Sequence, residues 1–129
     1  MLVVDTAPFL YDALDPSRLS RAARAAIEAA AGQGELAVVD VTLWEVAMLV
    51  SHGRLDVGGD TLEFLRAALR ARAIQVLQIT PEIAVLSTTF GLHGDPADRL
   101  IAAASVQYRA RLVTPDRALR RARGLVTVW

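Results

Sequence analysis

Neither cysteine nor lysine occurs among the 129 residues of this chain. Without cysteine no disulfide holds it, and none is needed: one domain spanning residues 1–129 is long enough to bury most of its apolar surface unaided. Hydrophobic residues make up 53% of the sequence, yet no unbroken apolar stretch approaches the roughly 18 residues that a membrane span requires. A soluble protein with no membrane partner is expected. The opening MLVVDT reaches an acid at position 5, which suits a buried strand and not a signal peptide with its basic leader. A cytoplasmic location is therefore the expectation.

An excess of charge of either sign is also missing, since 14 arginines balance 14 Asp and Glu. Zero net charge argues against a general nucleic-acid coat. The distribution is uneven, however. From Arg99 to Trp129, seven arginines (Arg99, Arg109, Arg111, Arg117, Arg120, Arg121 and Arg123) face one acid, Asp116, so this quarter carries 7 − 1 = +6.

Leu2 to Val4 is a short continuous apolar run of the kind found in fully buried parallel strands, and Asp5 ends it. Asp15-Pro16 predicts the opening of a helix that runs through RAARAAIEAAA and stops at Gly32 and Gly34. Val38 to Val41 reads as a second strand, with a helix following from about Thr42 to His52-Gly53. Asp60, with Glu63 three residues on, is a capping-box pattern that starts a helix to about Arg72, and IQVLQI is the third strand. Thr80-Pro81 opens a helix to about Phe90, GLHG breaks it, and Asp95-Pro96 opens the next, to Tyr108. Arg111 to Thr114 is a fourth strand, Pro115 starts a short basic helix, and Leu125 to Val128 is the fifth strand. GRLDVGGD, residues 53–60, is the one candidate flexible loop, and no internal repeat or low-complexity tract is present. This alternation predicts an α/β fold, a three-layer sandwich whose central, mostly parallel sheet is flanked by helices.

In such folds ligands bind outside the carboxyl ends of the strands. Asp5 follows the first strand and Asp116 the fourth, so both fall on that edge, while Glu45 is the only charge between Asp40 and His52. Each acid also has a purely structural reading. Thr42-x-x-Glu45 is a capping box, Asp95 is a natural N-cap before Pro96, and Asp98 falls near the third helical position, where an acid suits the helix dipole. Asp116 sits in a first helical turn, and Asp5 can accept backbone hydrogen bonds. Independent caps need not share an edge with Asp5, however. Anions packed together repel, and burial raises their pKa values, unless a cation joins them. With no lysine at hand, a hard divalent cation such as Mg²⁺ or Mn²⁺ fits, because it takes carboxylate oxygens and water. On this reading Asp98 holds a metal and Asp95 caps the helix that aims it.

Four motifs in order, LVVDT, TLWEVAMLVSHGRL, LHGDPADRLIAAASV and LVTPDRAL, resemble the PIN-domain ribonucleases, and closely the VapC toxins of prokaryotic toxin–antitoxin pairs, over essentially the whole chain. The resemblance implies a PIN-like fold and Mg²⁺- or Mn²⁺-dependent hydrolysis of RNA phosphodiester bonds. It carries the family's catalytic and metal-binding acids onto Asp5, Glu45, Asp98 and Asp116, with Asp95 as an accessory. Thr6 and Thr114 stand where relatives often have a hydroxyl beside an acid. A VapB-like antitoxin that lies across helices and blocks the cleft is implied as a partner, as is a toxin homodimer. The LWEVAMLV helix with Trp44 offers apolar side chains for such contacts, although core packing takes most of them. Arg117, Arg120, Arg121 and Arg123 would attract an RNA backbone that an acidic pocket alone repels. One departure lies in DTAPFLYDAL, where relatives commonly have His and an aliphatic residue in place of Ala7-Pro8; it bears on local loop shape and not on the acids.

Two rivals stand against an enzyme of this kind. A phospho-receiver domain shares the length, the alternation and an acid pocket after the first strand, but requires a lysine near the last strand, which this chain lacks. A catalytically silent PIN-fold binding domain would keep the architecture and only pair with a partner. Retention of all four acids counts against it.

Overall fold

The computed structural model describes residues 1–91 and 95–129. Among these, β1 (Leu2–Val4), β2 (Leu36–Val39), β3 (Gln75–Leu77), β4 (Arg111–Val113) and β5 (Thr127–Val128) form one sheet in the order β3-β2-β1-β4-β5. Every pairing is parallel. The helices are α1 (Thr6–Leu14), α2 (Arg21–Gly32), α3 (Asp40–Ser51), α4 (Thr61–Ala71), α5 (Pro81–Ser87), α6 (Pro96–Gln107) and α7 (Arg117–Arg121). None is long and apolar enough to cross a membrane.

Strand alternation divides the core in two. Leu2, Val4, Leu36, Val38 and Val113 face a cluster that includes Phe9, Leu10, Ile27 and Val46 from α1, α2 and α3. Val3, Ala37, Val39 and Leu112 face the opposite cluster, with Ile83, Ile101 and Leu119 from α5, α6 and α7. A sheet covered on both faces explains why the strands read as continuous apolar runs and not as alternating ones. Right-handed crossovers account for the segregation. The chain leaves β1 through β2 to β3 on one side, then returns to start again at β4, so the connections after the return lie on the other face. Each fully buried Val or Leu in these layers stabilises the fold by about 1.5–3 kcal/mol.

Half of helix α6 is buried, Ala97 and Ile101 to Ser105. Ala102, Ala103 and Ala104 are wholly buried beside Ile101. Side chains this small let the helix axis approach its neighbours closely, and the Ser105 hydroxyl, also buried, donates to Ile101 O at 2.9 Å. The start of the helix is set by Asp95, whose Oδ1 accepts the Ala97 N–H at 2.9 Å, with Pro96 as first helical residue. Asp98 thus occupies the third helical position, as its spacing predicts.

Several boundaries differ from the sequence expectation. Thr6–Leu14, which the apolar pattern leaves unassigned, is α1; Asp5 is its N-cap, and Pro8 falls in the first turn, where no N–H is missed. Asp15-Pro16 opens only a 3₁₀ turn, Pro16–Arg18, and the true cap of α2 is Ser20, whose Oγ accepts the Ala23 N–H at 3.0 Å. Between turn and cap stands Leu19, buried in the core with extended backbone angles of φ −73° and ψ 140°. Strand β2 starts at Leu36 and α3 at Asp40, so Val41 is helical. Capping by Asp60 is as expected, with its Oδ1 accepting from Glu63 N–H at 2.9 Å. Three of the four residues of GLHG, 92–94, lie outside the described residues.

Candidate active site

Strand order reverses between β1 and β4, and a crevice opens there at the carboxyl edge of the sheet. Its floor is a cavity of ≈ 380 Å³ lined by Asp5, Thr6, Glu45, Asp98 and Asp116, with Leu10 and Leu49 on one side. Each carboxylate arrives on a different element: the end of β1, the body of α3, the first turn of α6 and the turn after β4. Chain topology alone brings together residues up to 111 positions apart in sequence (116 − 5 = 111).

Asp5 is the most enclosed of the four, 7% exposed. Its N–H donates to Val113 O at 3.0 Å and so extends the β1–β4 pairing by one step. Its Oδ1 accepts the Thr6 N–H at 2.8 Å and its Oδ2 the Thr114 hydroxyl at 2.7 Å. That hydroxyl accepts in turn from the Asp116 N–H at 3.1 Å. Asp116 caps α7, its Oδ1 accepting from Ala118 and Leu119 N–H at 2.7 and 3.0 Å. A continuous run of hydrogen bonds therefore joins the ends of β1 and β4. Three of the acids are indeed caps, but capping and a ligand role are not alternatives. In Asp95 and Asp116 the capping N–H groups are accepted by Oδ1 alone, and among the described residues Oδ2 takes no part in the cap.

Glu45 is held differently. The expected capping box with Thr42 does not form, because α3 begins two residues before Thr42 and that residue is already inside the helix, fully buried. Glu45 Oε1 accepts instead from the Thr6 hydroxyl, and Thr6 Oγ1 lies 3.2 Å from Thr42 Oγ1. Thr42 is the member of the site that sequence reasoning missed. Its signal was the Thr-x-x-Glu spacing itself, which places both side chains on one helix face.

Electrostatics mark the site as strained by its own charge. Burial pushes the Asp98 carboxyl up to about 7, with Asp5, Asp95 and Asp116 adding repulsion. Glu45 is also pushed up to about 7, by burial first and by Asp95, Asp5 and Asp98, against the opposing hydrogen bond from Thr6. Asp5 is raised by burial more than its bonds from Thr114 and Thr6 lower it. No arginine relieves this: among the described residues the ion pairs are Met1–Glu35, Arg66–Glu63 and Arg72–Asp12. Nor do three Asp, Glu or His side chains close up into a ready-made cage among those residues. Carboxylates spread around a cavity with room for water are the donor set of a hard cation that keeps part of its hydration, so the residues present fit Mg²⁺ or Mn²⁺.

The four arginines do not form one group. Arg117, Arg120 and Arg121 line a cleft with Thr127, whereas Arg123 lines another with Arg121, Thr89 and Phe90. A further cavity of ≈ 280 Å³ between α1 and α4 is lined mainly by alanine and phenylalanine, and its one charged pair, Arg72 with Asp12 at 2.9 Å, is internally neutralised. It offers no comparable chemistry.

Comparison with known proteins agrees with this geometry. The chain is 40% identical over 119 residues to ribonuclease VapC22 of Mycobacterium tuberculosis, covering 89% of this chain and 88% of the relative. VapBC2 of Rickettsia felis, solved bound to a DNA fragment from its promoter, matches in fold with a TM-score of 0.75 at 18% identity, covering 98% of this chain and 96% of that one. A toxin–antitoxin complex from Klebsiella pneumoniae matches with a TM-score of 0.61 at 20% identity, covering 98% and 97%. The PIN domain model matches residues 2–125, and with four carboxylates gathered where the sheet reverses its order, the chain belongs to the PIN-domain family.

Proposed function

We propose that this protein is a Mg²⁺- or Mn²⁺-dependent endoribonuclease, the toxin of a cytoplasmic toxin–antitoxin pair. The observation that carries the reading is the set of four carboxylates converging from four elements on one cavity, with two pushed to about 7 and, among the described residues, no cation paired with them. Such an arrangement is a liability to the fold and is useful only to a bound cation. The relative named as a ribonuclease supports RNA as the substrate.

Asp5 and Asp98 would hold the ion directly, and Glu45 and Asp116 through water or toward a second ion. When bound, the ion would acidify water into a nucleophile and offset charge on the scissile phosphate and leaving oxygen. The chain's own residues supply the rest. Thr114 holds Asp5 and Asp116 in a common orientation by donating to one and accepting from the other. Thr6, fixed at the first position of α1, orients Glu45 across the cavity. Asp95 sets the start of α6 and so the direction of Asp98.

Partners follow from the same reading. A VapB-like antitoxin would block the cleft, and a second copy of the chain would cover apolar surface on α3, where Trp44 is 59% exposed. The test is incubation of the purified protein with total RNA, with and without Mg²⁺ or Mn²⁺, followed by sequencing of new ends. Discrete new ends that vanish in EDTA are expected. An intact RNA pool at every metal concentration would leave a silent PIN-fold binding domain as the better reading.

A further inference from the structure

We infer that the α7–β5 edge of the sheet is a phosphate subsite that grips the RNA strand beside the acid pocket; the inference rests on the ribonuclease reading above. Arg117, Arg120 and Arg121 are spaced i, i+3 and i+4, which places them on one face of α7. With Thr127 of β5 they line a cleft of ≈ 380 Å³. Leu119, 1% exposed, anchors the opposite side of the helix in the core, so this face cannot roll away.

The arginines give the cleft its positive charge. The carbonyls of Val126 and Val128 accept from Leu112 and Thr114 N–H at 2.8 and 3.2 Å, and strand alternation therefore turns both the N–H and the C=O of Thr127 toward the open edge of the sheet. Three arginines and a threonine thus line one cleft at this edge. Among the described residues no carboxylate pairs with any of the three arginines, whereas Arg66 and Arg72 each have one. A donor-rich cleft of this charge suits an anion with several acceptor oxygens, and planar guanidinium forks match the oxygens of a phosphate.

Position ties the cleft to the reaction. Asp116 lines the acid pocket and caps α7, and Arg117 is the next residue. A helix of five residues is only about 7 Å long at 1.5 Å per residue. The Arg120 backbone therefore lies only about one helical turn along the chain from that of Asp116. With zero net charge on the chain, long-range attraction does not bring RNA to an acidic cavity; a local grip beside it does. Arg123, which lines the other cleft, is outside this subsite.

The test uses the full chain with Asp98→Asn, so that RNA is bound and not cut, and a labelled single-stranded RNA of mixed sequence in a salt titration followed by anisotropy. Against this parent stand a variant with Arg117→Gln, Arg120→Gln and Arg121→Gln, and a charge-matched control with Arg54→Gln, Arg66→Gln and Arg70→Gln. Removal of three phosphate contacts should lower the log–log salt slope by about 2, at roughly 0.7 per contact for single strands, and weaken binding at low salt at least about tenfold. The control should keep the parent's slope. An unchanged slope in the first variant, or an equal loss in the control, overturns the subsite and leaves the ribonuclease reading standing. If the unsubstituted chain cuts no RNA in Mn²⁺, that reading falls and the subsite falls with it.

Discussion

The acid pocket has two unlike walls. On the wall made by the ends of β1 and β4, Asp5 and Asp116 accept hydrogen bonds from backbone N–H groups, and Thr114 links them. On the wall made by α3 and α6, Glu45 has one hydroxyl donor, and Asp98 has no side-chain donor among the described residues. Residues of one chemical kind in one cavity thus differ in what the fold asks of them. The first wall does structural duty and can serve a cation as well. The second costs stability on balance, since its carboxyls are pushed up to about 7. Function should therefore be most cleanly separable from stability on the helical wall.

The largest expected effect is on activity. Asp98→Asn keeps the shape of the side chain and removes the charge a cation needs, so RNA cleavage should fall by at least about 10²-fold with the fold intact. Near wild-type rates would remove Asp98 from the site. On the other wall the leading effect should be on stability. Thr114→Val takes a donor from Asp5 and an acceptor from the Asp116 N–H at a position that is fully buried. A loss of about 2 kcal/mol is expected, lowering Tm by roughly 5–10 °C. A shift under about 2 °C would mean that the hydrogen-bonded run across the β-wall holds nothing together.

Acid titration sharpens the contrast further. Burial pushes the folded Asp98 and Glu45 carboxyls up to about 7 from their ordinary values of 3.8 and 4.5, so between about pH 4 and pH 7 the folded chain binds protons that the unfolded chain has released. Stability of the metal-free protein should fall as pH rises through that window. The penalty is absent below the unfolded values and complete above about 7. Water in the half-open cavity screens it to on the order of 1–2 kcal/mol per group. Denaturant melts in EDTA at pH 5 and pH 8 should show the loss for wild type and a smaller one for Glu45→Gln; equal losses would contradict the assignment. The smallest effect belongs to Asp5→Asn. Asn caps a helix about as well as Asp, and relief of a buried charge opposes loss of the charge-assisted bond from Thr114. Stability in EDTA should stay within about 1 kcal/mol of wild type, and a larger drop would make Asp5 chiefly a structural residue.

The helical wall was also the less legible one in sequence. The strands announced themselves as apolar runs, and Asp5 and Asp116 followed them directly, so parallel alternation was enough to place both on one edge. Asp95-Pro96 marked the start of α6 and, with it, the direction of Asp98. Glu45 carried an ambiguous signal. Thr42-x-x-Glu45 has the spacing of a cap and of a shared helix face, and only the position of the helix start, two residues earlier at Asp40, decides between them. Helix α1 escaped because its apolar content lacks a clear period and Pro8 reads as a breaker, whereas in a first turn proline costs no hydrogen bond. The arginines were legible as charge but not as a place, since their division between two clefts depends on where β5 and the end of α5 come to lie.

The most direct test of the central claim, that the helical wall exists for a cation and not for the fold, is thermal melting of wild type and Asp98→Asn at pH 7.5 in EDTA and in Mn²⁺. In EDTA the variant sheds a penalty of about 1–2 kcal/mol and gives up about 0.3–1 kcal/mol of helix-dipole interaction, so it should melt at or up to roughly 6 °C above wild type. In Mn²⁺ at about 100 times Kd wild type gains about 2.7 kcal/mol that the variant does not, and the order should reverse. A variant that melts below wild type in EDTA, with Mn²⁺ moving both proteins equally, would contradict the account.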